Sequence, residues 1–448
     1  MSIFFPEPDI KVGKDGFEGK CDLGRAESGK KLSELVEKIS EPVVIAVDGP
    51  WGSGKSHFLK LWTGAHTQEE KYTTKVIYFD AFKHDYFDDP LVALMGEITE
   101  KIEKDGGALE AVKALWEKLK WLRKPALRGV AAIATKGGTE MAGAVGDAVI
   151  EVASKETSKV IDSLWADESS RRAAMEGFKT ALKDLTIENG TEEKPQKIVI
   201  IIDELDRCRP DFALNMLETI KHFFAVENVI FVLGVNLAEL ENSVKARYGL
   251  QVNAEKYLQK FVHIRFELPL KIGEHQKLDT WKVYYQAAST RLKIPDYLTD
   301  HLEKYLDCMH LAEGISIREI QRVLSILVLV PKTTKKGISE RYHYGWRAGV
   351  VCMIAVKCFL PKIYRKARLG TIIYEDLLDD FEMLNAHNPK FDFYEHRVWA
   401  ELFDKPWKNN DIDHGQGPFG PGRHVERESF LPQIIEDFLE SFELLDSP

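Results

Sequence analysis

The chain has 448 residues, enough for roughly two or three domains or for one domain with a large insertion. Its 29% charged and 44% hydrophobic residues are typical of a soluble folded protein and exclude a disordered or fibrous one. The net charge of −10 argues against nucleic-acid binding along the whole chain, although a local basic patch is compatible with it.

Apolar runs predict the strands of a parallel sheet. A short amphipathic helix is expected first, over residues 27–39. Runs without polar interruption then predict buried strands at 43–47, 75–80, 197–203 and 228–235, with a fifth candidate at 261–268. Because helical stretches separate the strands, we expect an α/β fold with a doubly wound, mostly parallel sheet.

A long segment of mostly helical pattern separates the second and third strands, and we predict a helical insertion over residues 101–194. Its part at 126–153 is rich in Ala, Gly and Val, which is compatible with a membrane hairpin or with soluble packing and self-association. Lys136, Glu140 and Asp147 would each cost roughly 2.5 to 3.5 kcal/mol at a helix centre in lipid. Soluble packing is therefore favoured, and a full membrane span is not expected.

The chain after Pro269 is expected to be wholly helical up to about residue 400. The apolar run at 348–360 spans thirteen residues and predicts a buried core helix, since it is too short to cross a membrane. Residues 404–423, rich in Gly, Pro, Asn and Asp, predict a loop. An apolar stripe over 431–442 predicts a helix docked on its own domain, in preference to a partner-binding helix.

A glycine-rich loop follows the first strand and carries the clearest chemistry of the sequence. It consists of Gly49, Pro50, Trp51, Gly52, Ser53, Gly54, Lys55 and Ser56. In such a P-loop the backbone N–H groups and the following helix N-terminus surround phosphate, the lysine reaches the β- and γ-phosphates, and the serine ligates Mg²⁺. His57, next in the chain, joins the predicted contacts. We therefore predict a P-loop NTPase that binds ATP and Mg²⁺.

A second stretch has similar glycine spacing but lacks the rest of the motif. Gly24 and Gly29 precede Lys30 and Lys31, yet no strand comes before them and no Ser or Thr follows the lysine. We interpret residues 24–31 as a turn that enters a helix.

Asp203 ends the most hydrophobic strand and Glu204 follows it directly. These two carboxylates complete the predicted catalytic set. Asp203 is expected to hold the hydrated Mg²⁺ together with Ser56, and Glu204 to orient or deprotonate the attacking water. Lys55 and Glu204 are thus the predicted catalytic residues. The alternative is that Asp203, Glu204, Asp206 and Arg207 only form a solvated turn between a strand and a helix.

These motifs divide the chain into predicted parts. The P-loop NTPase domain would comprise residues 1–100 and 195–270, with the helical insertion at 101–194 between them, a helical lid at 271–403, and a loop with an amphipathic helix at 404–448. Five cysteines without a C-x-x-C pair and an N-terminus without a secretory pattern favour reduced thiols and a cytoplasmic location.

The loop with its Pro50-Trp51 pair, together with Ile202-Asp-Glu-Leu-Asp-Arg-Cys208, resembles the KAP family of P-loop NTPases over roughly residues 20–330. Phe82 stands where that family usually has Trp, and Glu204 where it usually has Asp. The second difference retains a carboxylate and leaves the expected role intact.

The resemblance implies further contacts and a biological setting. Residues 23–25 would lie near the base, Asn236 would sense the γ-phosphate, and Arg318 or Arg322 would reach the nucleotide from the helical lid. For an arginine supplied to a neighbouring subunit, Arg247 and Arg265 are candidates. The family often carries transmembrane helices between its two nucleotide motifs, and its bacterial members are associated with exclusion of phages.

Three functional hypotheses remain open at this point. The leading one is an ATPase whose hydrolysis drives a conformational change or assembly, in a homo-oligomer or with a partner protein. The second is a nucleotide-gated scaffold with negligible hydrolysis. The third is an ATPase that acts on nucleic acid, suggested by Lys362, Arg365, Lys366 and Arg368, although such a run is usually a solvated helix face.

Overall fold

The computed structural model describes residues 10–21, 23–87, 89–104, 176, 179–180, 182–187, 195–222, 226–269, 271–272, 278–309, 314–333, 338–378, 393–403, 418–420 and 425–440. The Ala/Gly-rich part at 126–153 and most of the predicted helical insertion lie outside these residues. The chain forms two compact units, one comprising Ile10–Cys21 with Arg25–Pro269 and the other built mainly on Leu270–Pro448.

The first unit alternates strands and helices. In chain order its elements are α1 (Ala26–Lys38), β1 (Val43–Asp48), α2 (Lys55–Gln68), β2 (Lys75–Asp80), α3 (Pro90–Lys104), β3 (Ile198–Asp203), α4 (Pro210–His222), β4 (Val229–Val235), α5 (Leu237–Tyr248), α6 (Ala254–Leu258) and β5 (Ile264–Glu267). Short 3₁₀ turns at Phe82–His84 and Leu205–Arg207 follow β2 and β3. The four strands predicted with most certainty are confirmed to within one residue at each end.

The five strands form one parallel sheet in the order β2-β3-β4-β1-β5. β4 therefore lies between β1, which leads into the glycine-rich loop, and β3, which ends in Asp203. Gly234 of β4 is opposite Val47 on one side and Asp203 on the other. Because parallel strands end at the same edge of a sheet, the loop and the two carboxylates meet at one edge. The predicted α/β class is confirmed.

Helices cover both faces of this sheet. Side chains of α3, α4, α5 and α6 pack on one face, and those of α1 and α2 on the other. Every residue of β3 and β4 is buried, which explains their unbroken Val, Ile and Leu runs. Burial of one such side chain contributes roughly 1.5 to 3 kcal/mol, so the two central strands are a rigid base for the edge above them.

The second unit is mostly helical. Its helices are α7 (Thr280–Leu292), α8 (Asp296–Cys308), α9 (Ile317–Thr333), α10 (Tyr344–Phe359), α11 (Pro361–Arg368), α12 (Glu375–Leu378), α13 (Phe393–Leu402) and α14 (Arg427–Ile434), the last continued by one π-helical turn (Ile435–Leu439). The expectation of a wholly helical region is wrong in one detail. Two short strands, β6 (Lys271–Ile272) and β7 (Leu278–Asp279), pair antiparallel ahead of α7.

Helix α10 is the core of this second unit and confirms the predicted buried helix, with residues 348–356 all buried. A Cβ added at Gly349 would lie 2.8 Å from Cδ1 of Ile434 and 3.2 Å from the Phe430 ring, so α14 packs directly on α10. The predicted docking of the C-terminal amphipathic segment is thereby confirmed. Across the residues that the structure describes, no helix combines the length and apolarity needed to cross a membrane.

Candidate functional site

The glycine-rich loop joins β1 to α2 and has the backbone shape that phosphate binding requires. Gly52 and Gly54 have φ values of 75° and 82°, in the left-handed region that glycine adopts without a steric penalty. Gly54 is the N-cap of α2 and no side chain caps that helix. The N–H groups of its first turn therefore remain available for an anion.

Lys55 is folded back onto the loop. Its Nζ donates to the carbonyl oxygen of Gly49 at 2.5 Å and to that of Pro50 at 3.1 Å, and the residue is only 8% exposed. Burial lowers the pKa of Lys55, and the charges of Asp206 and then Asp203 oppose this shift. An ammonium group held among backbone carbonyls near the helix N-terminus is well placed to transfer to phosphate oxygens.

Ser53 lies inside the same loop, and the structure leaves its hydroxyl without a hydrogen-bond partner although it is buried. An unsatisfied buried polar atom costs roughly 1 to 3 kcal/mol, and a bound phosphate is the kind of group that would satisfy it. With the uncapped start of α2 and the two left-handed glycines, this fits a nucleoside triphosphate.

Asp203, at the end of β3, is fully buried and hydrogen-bonded on both oxygens. The Tyr78 hydroxyl donates to its Oδ2 at 2.6 Å, and the backbone N–H of Glu204 donates to its Oδ1 at 2.9 Å. Burial raises the pKa of Asp203 to about 6, the hydrogen bond from Tyr78 opposes this rise, and the charge of Glu204 adds to it. A buried carboxylate with a raised pKa is stabilised by a nearby cation, which Mg²⁺ would supply.

Glu204 lies directly beside the first turn of α2. Its Oε1 accepts a hydrogen bond from Oγ of Ser56 at 3.0 Å and lies 3.0 Å from Nη1 of Arg207. Its backbone is in the left-handed region, with φ 59° and ψ 26°, which is uncommon for a residue with a side chain. Such strain is typical of functional positions, and here it turns the chain so that Glu204 faces the P-loop.

The predicted metal ligands and the predicted base are thus brought together. Ser56 and Asp203 are the residues that would hold Mg²⁺, and both lie next to Glu204. The alternative of a merely solvated turn is wrong for two of its four members, since Asp203 is 0% and Asp206 7% exposed. The roles of Lys55, Ser56, Asp203 and Glu204 in binding and catalysis remain predictions.

Gly234 makes this arrangement sterically possible. A Cβ at Gly234 would lie 2.2 Å from Oδ1 of Asp203 and 2.5 Å from Cδ1 of Leu59, closer than any side chain tolerates. Only glycine at this point of β4 lets the carboxylate of the neighbouring strand sit over its backbone.

Asp48 ends β1 and is a third buried carboxylate at this edge. It accepts hydrogen bonds from the backbone N–H of Leu237 at 2.9 Å and from Nε of Arg265 at 2.8 Å. Arg265, one of the two candidates for an arginine supplied to a neighbouring subunit, therefore forms an ion pair within its own chain. Arg247, the other candidate, pairs with Asp211 at 3.1 Å.

The remaining predicted contacts are placed as follows. Asn236 directly follows β4, between the loop and Asp203 in the strand order, and its side chain caps α5 by accepting from the N–H of Ala238 at 3.2 Å. His57 lies in the first turn of α2, with Nε2 3.1 Å from the carbonyl oxygen of Lys20. Arg318 lies near the start of α9, in the second unit. Their contacts with nucleotide remain predictions.

The second glycine pattern is a helix entry, as interpreted from the sequence. Gly24 has a positive φ of 61°, and α1 begins two residues later. Gly29 lies inside α1, where an added Cβ would meet the Phe17 ring at 2.4 Å. The missing side chain at Gly29 therefore allows close packing with Phe17 and does not serve phosphate binding.

Sequence reasoning missed three contributors to the site. Tyr78 binds Asp203, Asp206 accepts a hydrogen bond from the Trp51 indole at 2.6 Å, and Gly234 admits the Asp203 carboxylate. The isolated glycine in an otherwise apolar strand is a signal of close backbone approach that could have identified Gly234. Tyr78 and Asp206 have no comparable signal, because their roles depend on contacts between distant segments.

The basic stretch of α11 is partly neutralised within its own unit. Lys366 pairs with Asp376, and Arg368 lies 2.5 Å from Oε1 of Glu440. Two of the four cations that suggested nucleic-acid binding therefore already have acidic partners, which weakens that hypothesis.

Comparison with known proteins places the chain in a family. Two solved structures of the ORC2 protein of Aeropyrum pernix are similar to it. The ADP form is 13% identical with a TM-score of 0.33, over 72% of this chain and 64% of that one, so this match spans less than two thirds of the ORC2 chain. The ADPNP–ADP complexes are 12% identical with a TM-score of 0.35, over 98% of this chain and 96% of that one. No curated protein matches the chain. The KAP family P-loop domain matches residues 25–333, and the chain belongs to this family.

Proposed function

We propose that the protein hydrolyses ATP in a Mg²⁺-dependent reaction at the edge of the sheet. The observation that carries this proposal is the contact between Ser56 and Glu204, 3.0 Å from Oγ to Oε1. It brings the P-loop hydroxyl and the candidate base together, beside the buried carboxylate of Asp203.

Each residue has a distinct proposed role. The first turn of α2 and Lys55 bind the phosphates and balance their charge. Ser56 and Asp203 would hold Mg²⁺, which would supply positive charge beside the phosphate oxygens. Glu204 orients the attacking water and accepts its proton.

The test is phosphate release from ATP, with Mg²⁺ and with excess chelator, by the wild type and three variants. Lys55→Ala is expected to abolish nucleotide binding. Glu204→Gln is expected to retain binding and to lower turnover by roughly a hundredfold or more, because it removes the base at nearly constant shape. Glu255→Gln, an exposed carboxylate on α6, is the matched control and is expected to resemble the wild type.

The same contact also favours a second candidate, a nucleotide-gated scaffold. Glu204 is held by both Ser56 and Arg207, so a ligand bound at Ser56 would be linked to the segment after β3 even if hydrolysis is negligible. If the wild type binds ATP without Mg²⁺-dependent phosphate release, and Glu204→Gln changes nothing, the enzymatic proposal is refuted and the scaffold remains. If the wild type does not bind ATP, the enzymatic proposal and the scaffold proposal both fail.

We further propose that nucleotide binding is coupled to conformational change or to assembly, in a homo-oligomer or with a partner protein. The proposal of a cytoplasmic location rests on the cysteine pattern and the N-terminal sequence, and that of a role in anti-phage defence on resemblance to the family alone. Particle size with and without a non-hydrolysable ATP analogue tests the assembly. The same particle size with and without the analogue would contradict nucleotide-dependent assembly.

A further inference from the structure

Trp51, in the middle of the P-loop, makes one polar side-chain contact with the described residues. Its indole Nε1 donates to Oδ2 of Asp206 at 2.6 Å, while 46% of the residue is exposed. Because so much of the ring faces solvent, apolar packing alone does not determine its position. A short hydrogen bond to an ionised acceptor is roughly twice as strong as one between neutral groups.

The backbone around Asp206 is hydrogen-bonded to the sheet. It lies in the 3₁₀ turn Leu205–Arg207, and it is 7% exposed. The turn is closed by the N–H of Arg207, which donates to the carbonyl oxygen of Glu204 at 3.1 Å, and the N–H of Glu204 donates to the carbonyl oxygen of Gly234 at 3.1 Å. The backbone of the turn that carries Asp206 is thus hydrogen-bonded to β4 of the sheet.

The P-loop is consequently attached to the segment after β3 at two points. Trp51 binds Asp206 in the middle of the loop, and Ser56 binds Glu204 at the start of α2. The Ser56 contact uses the hydrogen of a hydroxyl whose oxygen is the predicted ligand of Mg²⁺. The Trp51 contact is made by the indole and not by the backbone N–H groups that are predicted to surround phosphate, so it can persist throughout.

We propose that Asp206 is a positioning residue for nucleotide binding, which holds Trp51 and hence the P-loop in the conformation that accepts phosphate. It acts through the hydrogen bond to the indole and touches neither nucleotide nor metal. This inference rests on the proposed nucleotide-binding function of the loop and deepens it. Loss of the bond leaves the loop free to adopt other conformations, so binding weakens while the chemical step is preserved.

The experiment compares Trp51→Phe, Asp206→Ala, their double variant and Asp206→Asn. Phe retains the ring and removes the donor, whereas Asn retains an acceptor and removes the charge. Trp62→Phe is the matched control, because it removes another indole donor, bonded to Oγ of Ser33 at 2.9 Å, in the same helix as Lys55 but in the core. The measurements are KM and kcat for ATP with Mg²⁺, the Kd of a non-hydrolysable ATP analogue, and the midpoint of thermal unfolding.

We expect Trp51→Phe and Asp206→Ala each to raise KM and Kd by about tenfold, or ~1.4 kcal/mol, with kcat changed by less than about twofold. The double variant is expected to be no worse than either single variant, since both remove the same bond. Asp206→Asn is expected to recover most of the affinity. Trp62→Phe is expected to lower the unfolding midpoint without raising KM.

The outcomes separate this inference from the proposed function. If Lys55→Ala abolishes analogue binding while Trp51→Phe and Asp206→Ala bind like the wild type, the positioning role is refuted and the nucleotide site stands. Additive losses in the double variant, or a loss in Trp62→Phe equal to that in Trp51→Phe, also refute it. If the wild type does not bind the analogue, both proposals fail together.

Discussion

The Oγ atom of Ser56 donates a hydrogen bond to Oε1 of Glu204 at 3.0 Å, although the two residues are 148 positions apart in the chain. The bond joins the start of α2 to the end of β3 across the intervening strand β4. In the proposed function the oxygen of the same hydroxyl would bind Mg²⁺, while its hydrogen can still be donated to Glu204.

Ser56→Ala tests this link. Nucleotide affinity is expected to lose its dependence on Mg²⁺, because the variant lacks the hydroxyl that would ligate the metal. The fold is expected to lose only about 1 kcal/mol, the net value of one hydrogen bond. The measurement is the Kd of an ATP analogue with Mg²⁺ and with chelator. Thr67→Ala is the control, since its hydroxyl binds the carbonyl oxygen of Thr63 on the same helix. Equal Mg²⁺ dependence in Ser56→Ala and the wild type would contradict the assignment.

Gly234→Ala is expected to disturb the candidate metal site from within the sheet. Its Cβ would overlap Oδ1 of Asp203 and Cδ1 of Leu59, and overpacking of this kind costs roughly 1 to 3 kcal/mol. We expect a lower free energy of unfolding and weaker Mg²⁺-dependent binding. Gly96→Ala is the control, because nothing lies within 4 Å of its added Cβ and alanine favours the helix α3. Equal stability and equal Mg²⁺-dependent binding of Gly234→Ala and Gly96→Ala would contradict this prediction.

His66 gives the fold a defined dependence on pH. The residue is 1% exposed, its Nδ1 lies 2.8 Å from Oγ of Ser33, and its Nε2 lies 3.5 Å from Oε1 of Glu37. Burial lowers the pKa of His66 below its ordinary value of 6.5, and the charge of Glu37 opposes this only in part. The unfolded chain therefore binds a proton more readily than the folded one.

This contribution of His66 to stability is complete above pH 6.5 and is lost as pH falls through 6.5 towards the lower folded pKa. In His66→Gln this titration is absent, so we expect a smaller decline in the free energy of unfolding between about pH 7 and pH 5. Denaturant unfolding across this range measures the two slopes. Identical slopes in the wild type and His66→Gln would show that His66 does not titrate in this way.

Arg25 is a buried cation without a counter-ion in the described part of the chain. It is 1% exposed, its Nε and Nη1 have no hydrogen-bond partner, and burial lowers its pKa to about 10, so it remains charged at neutral pH. Arg25→Met is expected to raise the free energy of unfolding by roughly 1 to 3 kcal/mol, because it removes an unsatisfied buried group at similar length.

Denaturant unfolding measures this effect, with Arg247→Met as the control. Arg247 belongs to a surface pair with Asp211, whose side chain is 84% exposed, so its loss is expected to change stability by less than about 1 kcal/mol. A lower stability of Arg25→Met than of Arg247→Met would show that the guanidinium stabilises the fold.

The sequence was sufficient to predict the strands and the P-loop because both are local signals. The run at 198–202 is apolar without interruption, and the loop has glycine where a left-handed backbone is needed. The segment expected at 261–268 is shorter, Ile264–Glu267, because Phe261 still belongs to the turn after α6 and donates to the carbonyl oxygen of Leu258. The strands β6 and β7 were missed, since two residues carry no periodicity.

The arrangement of the site could be predicted only in part. Asp203 and Glu204 were expected near the loop, and both are there. The contacts of Tyr78 with Asp203 and of Trp51 with Asp206 depend on strand order and on rotamers, and neither is written in local sequence. The exposed fraction of Asp206 was also not predictable, because a charged residue in a turn is usually solvated.

The register of β2 and β3 determines where the chain joins the sheet again after α3. β2 and β3 are direct neighbours, with Lys75 opposite Ile198 at one end and Asp80 opposite Asp203 at the other. The six paired positions fix where β3 joins the sheet. A different length of chain between α3 and β3 would therefore leave Asp203 and Glu204 in the same place beside the P-loop.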